Sequence, residues 1–232
     1  MNTMGRIMCR VEWVLTQLNR FRRFSVGGRR YRYFIHEYNE AWANERTVEV
    51  PVVQSLLTRA LTKRLRVLEV GNVLSHYMPV QWPVVDKYEQ GAGVVNQDIL
   101  DYCPAEKFDL LVSISTFEHV GFDETGPREG CRYDAEKLKK VIVHVRDHIL
   151  KPDGTLFLTI PAGYNPGLDA LVLSGEIHFD GLFFMKRMSR FNEWREVKAG
   201  DIQGARYHDP YYCANAVYFA WIGNEEKRIE HG

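Results

Sequence analysis

The chain has no apolar run near the ~20 residues that a membrane-spanning helix needs. Its N-terminus lacks the continuous apolar core of a secretory signal. Cysteine is scarce: Cys9, Cys103, Cys131 and Cys213 lie far apart, and no C-x-x-C pair occurs. Neither a zinc site nor a disulfide framework is indicated, so no metal is expected and a reducing cytoplasm fits best. The phosphate-cradling glycine patterns G-x-x-x-x-G-K-[ST] and G-x-G-x-x-G are both missing. That speaks against a nucleotide held by its phosphates. There is no internal repeat and no low-complexity segment.

What is present is an ordinary globular balance. Of 232 residues, 45% are hydrophobic and 26% charged, enough for a sizeable core without staples. The formal net charge is zero but unevenly spread. Residues 1–32 hold eight arginines and one acid, Glu12, and so carry +7 against −7 for the remainder. In residues 4–21, Ile7, Met8, Val11, Val14, Leu15, Leu18 and Phe21 recur at helical spacing. This basic amphipathic arm, residues 1–30, has two readings. It lies on an anionic surface, with peripheral membrane contact, or it packs on its own domain with a solvated basic side. Gly27-Gly28 marks a turn, and residues 31–232 are expected to form a single domain. Basic and aromatic residues alternate from Arg29 to Tyr33, but the acidic body argues against an extended nucleic-acid groove.

Beyond the arm, strand and helix patterns alternate. Pro51 suits the first turn of a helix that carries Leu56, Leu57, Ala60, Leu61 and Leu65. Short apolar strands are expected at Val67–Val70, Val84–Val85, Val94–Val95, Phe108–Ile114 and Thr155–Ile160. A helix is expected over Ala135–Leu150, and two late strands at Glu193–Val197 and Ala216–Ile222. Such a pattern reads as an α/β fold with a parallel sheet covered on both faces. Polar residues cluster at the strand ends: Glu69-Val70-Gly71-Asn72, Asp86, Asp98, and Ser115-Thr116-Phe117-Glu118-His119. In a parallel sheet these converge at one edge, where open α/β sheets bind ligands. An acid at the second strand end can accept ribose hydroxyls, and one at the third can accept an adenine amino group. Glu69, inside its strand, serves a bound cofactor, caps the next helix or pairs with a nearby arginine; the strand alone does not separate these.

Val67-Leu68-Glu69-Val70-Gly71, Val84-Val85-Asp86, Asp98, Phe108-Asp109-Leu110-Leu111-Val112-Ser113 with Glu118-His119-Val120, and Leu150-Lys151-Pro152-Asp153-Gly154 occur in that order. Over residues 45–222 they resemble the ordered motifs of class I S-adenosylmethionine-dependent methyltransferases. A looser likeness is to a subgroup associated with polysaccharide and glycolipid biosynthesis. The resemblance implies a Rossmann-like, seven-stranded, mostly parallel sheet with an antiparallel last strand and helices on both faces. It implies S-adenosyl-L-methionine as cofactor, and methyl transfer to a hydroxyl or amine of a small-molecule, sugar or lipid-linked acceptor. Implied cofactor contacts are Arg46, Glu69, Gly71, Asn72, Ser75, Asp86, Lys87, Asp98, Ile99, Ser115 and Thr116. Glu118, Tyr164 and Asn165 are candidates for the acceptor side. His119 and His178 are candidate bases, each with a plain alternative: a brace for the loop, and a surface histidine. Tyr164 and Asn165 equally suit a simple turn. The chain departs from the family where Val73 and Ser75 stand in place of two glycines. Side chains there would crowd a cofactor lying on the backbone. The alternative is therefore a non-catalytic binding or scaffold relative.

Overall fold

The computed structural model describes residues 13, 14, 16–122 and 134–223. The expected helical positions Ile7, Met8, Val11 and Leu15, and most of the polar loop before Asp134, lie outside them. Among the described residues, ten strands follow in chain order: β1 (Arg23–Val26), β2 (Arg29–Arg32), β3 (Val67–Val70), β4 (Val84–Val85), β5 (Val94–Val95), β6 (Phe108–Ile114), β7 (Leu150–Pro161), β8 (Gly181–Arg187), β9 (Trp194–Val197) and β10 (Ala216–Ile222). The longer helices are α1 (Arg46–Thr62), α2 (Ala135–His144) and α3 (Pro166–Ser174).

β1 and β2 form an antiparallel hairpin. The other strands form one sheet in the order β5-β4-β3-β6-β7-β10-β8-β9. The pairs β5-β4, β4-β3, β3-β6 and β6-β7 are parallel, and β8-β9 is antiparallel. The expected mostly parallel sheet with an antiparallel end is present, with eight strands instead of seven. The extra strand is β8. Its Gly-Leu-Phe-Phe-Met-Lys-Arg sequence has no clean alternation, and four consecutive positions are only half-buried. All of β3 and β6 is buried, which explains their continuous apolar runs. Chain order reverses between β3 and β6: β4 and β5 build outward on one side, β7 on the other. That point is where a crevice opens in such sheets.

Contacts divide the chain into two compact units. The first comprises Met1–Gln54, Pro161–Tyr164 and Phe183–Tyr218; the second comprises Ser55–Ile160, Asn165–Leu182 and Phe219–Gly232. In the first, polar side chains tie the loops. Buried Asn192 donates through Nδ2 to the Trp42 and Asn44 carbonyls and accepts from Trp194 Nε1. Buried Arg187 donates to the carbonyls of Ala43, Ser189, Arg190 and Tyr212. Gly27 and Gly28, both at positive φ, make the β1–β2 turn.

Two local expectations are corrected. Helix α1 begins at Arg46, so Pro51 sits inside it instead of in its first turn. Proline has no N–H for the Thr47 carbonyl, and that carbonyl accepts the Phe34 N–H instead, at 2.9 Å. The helix expected to run to Leu150 stops at His144 and passes through a π-turn, Val145–Ile149; Leu150 already belongs to β7. Near the N-terminus, Val14, Leu18 and Phe21 are exposed, while Thr16 and Asn19 are buried. Asn19 reaches inward to donate to the Phe191 carbonyl at 2.7 Å.

Candidate functional site

The strand ends of the second unit surround a cavity of about 610 Å3. The end of β3 contributes Val70 and Gly71, and the end of β4 contributes Val85, Asp86, Lys87, Tyr88 and Glu89. Gln97, Asp98 and Ile99 follow β5, Ser115, Thr116, His119 and Val120 follow β6, and Lys137 and Val141 come from α2. The cavity thus sits at the reversal point between β3 and β6.

Gly71 has φ +88°, and a Cβ there would collide with Thr116 Oγ1. Only glycine lets the β3 turn and the β6 turn approach this closely. Ser115, across from it, holds φ +40°, a conformation seldom adopted by a residue with a side chain. Glu69 is fully buried and does not line the cavity. Its Oε1 accepts the N–H groups of Val73 (3.1 Å) and Leu74 (2.8 Å), and its Oε2 accepts Trp82 Nε1–H (3.0 Å). Glu69 therefore braces the 3-10 turn Leu74–His76. Burial pushes its pKa up, against the lowering effect of the Leu74, Trp82 and Val73 donors and of His76.

Val73 and Ser75, where crowding was expected, belong to this turn. Neither residue lines the cavity. Ser75 is exposed and donates to Asn72 Oδ1, and the Val73 N–H is held by Glu69. The chain turns away from the cavity after Asn72.

Asp86 organises the β4 end. Its Oδ1 accepts the N–H groups of Tyr88 (2.8 Å) and Glu89 (2.7 Å), and its Oδ2 accepts that of Asn72 (2.9 Å). A carboxylate has about four acceptor sites, so Oδ2 keeps one for a ligand. Glu89 is the second acid here. Its Oε1 takes Asn72 Nδ2 at 2.9 Å and His76 Nε2 at 2.7 Å. Asp98 Oδ2 stands 3.1 Å from Lys87 Nζ and 3.5 Å from Lys137 Nζ. Partial burial pushes the Asp98 pKa up, but the Leu100 N–H and the two lysines outweigh it and hold the carboxyl below its usual range. Glu89 and Lys137 were not singled out in the sequence. Glu89 follows the end of β4 by four residues and Lys137 follows the α2 cap by three, and neither spacing is distinctive.

The other candidates are distributed differently. Asn72 backs the cavity through its contacts to Asp86 and Glu89. Glu118 is buried, with its Oε1 3.8 Å from His119 Nε2, and does not line the cavity. Asn165 is the N-cap of α3: its Oδ1 accepts the Leu168 N–H, and its Nδ2 donates to the Glu118 carbonyl. The His178 side chain is 86% exposed, beside Asp180. Arg46 and Tyr164 belong to the first unit. There Arg46 pairs with the fully buried Glu49, and Tyr164 meets Tyr207 edge-on at 5.1 Å.

No family model matches the chain, and no curated protein does. Solved structures match at low identity. An N-methyltransferase NodS from Bradyrhizobium japonicum WM9, in complex with S-adenosyl-L-homocysteine, is 14% identical, with 77% of this chain and 88% of that chain covered and a TM-score of 0.42. An S-adenosylmethionine-dependent methyltransferase from Clostridium acetobutylicum ATCC 824 is 14% identical over 74% of this chain and 90% of that chain, with a TM-score of 0.36. The glycopeptide N-methyltransferase MtfA, complexed with S-adenosyl-L-homocysteine, is 11% identical over 75% and 89%, also with a TM-score of 0.36. So loose a likeness leaves the function to be argued from the residues around the cavity.

Proposed function

We propose that the second unit binds S-adenosylmethionine and that the chain transfers its methyl group to a hydroxyl or amine of a small-molecule, sugar or lipid-linked acceptor. The observation that carries the reading is the row of acids at successive strand ends around one cavity. That row suits a nucleoside with a ribose diol and an exocyclic amine, and it needs no phosphate cradle. The free acceptor site of Asp86 and the carboxylate of Glu89 suit the two hydroxyls. Asp98 would accept from the adenine amino group, and Ile99, Val120 and Val141 would give the ring apolar cover. Gly71, Ser115 and Thr116 would bound the amino-acid end.

When bound, the cofactor supplies a methyl group already activated on its sulfonium, so the protein's task is positioning and proton removal. His119 lines the cavity, and its side chain is 42% exposed. Its Nε2 would take the proton that the acceptor gives up. The Glu118 carboxylate, close to that nitrogen, favours the imidazolium that results.

Calorimetry with S-adenosylhomocysteine tests the reading. Binding in the micromolar range is expected, lost in Asp98→Ala. No heat at high micromolar ligand, from protein shown to be folded, refutes it. His119→Asn is expected to keep cofactor affinity and to lower turnover by about 10²–10⁴-fold once an acceptor is in hand.

A further inference from the structure

The first unit presents a cationic surface beside an apolar one. In the β1–β2 hairpin, Phe24 and Val26 turn inward and are buried. The opposite face carries Arg23, Ser25, Arg30 and Arg32, all exposed. Register places Arg23 directly across from Arg32, a like-charge pairing that weakens a hairpin. Alongside runs a groove of about 720 Å3 that takes in Phe21, Arg22, Arg23, Arg30, Met188 and Arg195. Its two acids are engaged: Glu193 pairs with Arg22, and Glu196 accepts the Gly27 N–H. Among the described residues, Arg23, Arg30, Arg32 and Arg195 have no ion-pair partner.

Next to these arginines the chain is inside out. Val14, Leu18 and Phe21 stand four and three residues apart, so they share a face, and that face is open. Their exposures are 53%, 50% and 81%, with Trp13 and Met188 at 44% each. The inward side is held by Asn19. A helix that only covers its own domain buries its apolar side and shows the polar one. Here the order is reversed, and cations border the apolar face.

We infer that this edge of the first unit docks on an anionic lipid surface. Phe21, Leu18 and Val14 enter the boundary between headgroups and acyl chains, and Arg23, Arg30, Arg32 and Arg195 meet the lipid phosphates. Charge complementarity selects this occupant: a second copy would oppose arginine to arginine, and a soluble phosphate has no need of the apolar face. The inference stands independently of the methyltransferase reading.

The test is flotation of the full chain with vesicles, with circular dichroism on every variant. The chain is expected to float with vesicles of equal parts phosphatidylcholine and phosphatidylglycerol at low salt. It is expected to stay behind with phosphatidylcholine alone and to be released by salt. Each arginine near the surface contributes roughly fivefold in partition, so Arg23→Glu/Arg30→Glu/Arg195→Glu is expected to cut it by ~100-fold or more. Leu18→Ser/Phe21→Ser is expected to cut it about tenfold or more while keeping the salt dependence. Failure of the folded wild type to float, or flotation unchanged by the charge reversal, overturns the inference. Release by inorganic phosphate at matched ionic strength points to a soluble ligand and overturns it too. So does a wild-type dimer that Leu18→Ser/Phe21→Ser converts to monomer.

Discussion

Replacing Glu69 by glutamine separates a brace from a ligand contact. In the wild type, three N–H groups point at one buried carboxylate. Hydrogen bonds to a charged group contribute about 1.5–3 kcal/mol each, and burial of the carboxylate, which pushes its pKa up, works against them. Glutamine keeps the Oε1 bonds to Val73 and Leu74, now neutral and worth about 1 kcal/mol apiece. At Oε2 it sets an NH2 group against the Trp82 N–H, leaving a buried donor unsatisfied at about 1–3 kcal/mol. After the relief of charge burial, a net loss of about 1–3 kcal/mol is expected. For a chain of this size that lowers Tm by roughly 2–12 °C. Trp82→Phe removes the opposing donor, so it is expected to cost clearly less in the Glu69→Gln background than in the wild type. Thermal unfolding of the four proteins, without ligand, gives the coupling. Loss below about 0.5 kcal/mol, or equal cost of Trp82→Phe in both backgrounds, refutes the bracing role. If Glu69 instead held the cofactor directly, Glu69→Gln would abolish S-adenosylhomocysteine binding while leaving the free protein's Tm unchanged.

Three further outcomes are expected. Gly71→Ala meets both a left-handed φ and the Thr116 side chain; it is expected to cost about 2–5 kcal/mol by thermal unfolding, with partial rescue by Thr116→Gly. Burial, with Glu45 next, pushes the Cys213 thiol up to about 11. Its folded pKa exceeds the unfolded value, so its contribution to stability is full below pH 9.0 and is lost as pH rises through about 11; in peptide mapping after alkylation at pH 8, exposed Cys103 is expected to react and Cys213 only after unfolding. Arg187→Lys is expected to cost about 2–4 kcal/mol in urea unfolding, because one ammonium cannot reach four carbonyls set around a planar guanidinium.

The sheet was largely legible because its central strands, β3 and β6, are buried on both faces and therefore read as unbroken apolar runs. The strand ends were legible for the same reason: an acid such as Asp86 or Asp98 stands out after two valines or a short turn. What sequence left open at Glu69 was a matter of direction. A strand alternates its faces, but here the carboxylate folds back under the turn, and only the positions of Val73, Leu74 and Trp82 reveal it. Asn165 was ambiguous between pocket and turn, and the N-cap geometry is settled by the Leu168 N–H three residues on. The hairpin β1–β2 escaped notice because Arg23–Arg32 is too basic to resemble a strand pair, although Gly27-Gly28 marked its turn. The outward-facing Leu18 and Phe21 were not legible at all. Spacing names an apolar face, but it does not say whether protein covers it.

The bond from Phe34 to Thr47 has a consequence for how α1 tolerates change. A proline in mid-helix is ordinarily a weakness, yet here the vacancy it leaves is a socket that an upstream segment plugs into. The Thr47 hydroxyl returns the gesture by donating to the Phe34 carbonyl at 2.8 Å. Any residue with an N–H at position 51 would compete for that socket. A substitution that improves the helix would thereby loosen the chain leading into it, so local helical propensity and order of the preceding loop are opposed at this one position.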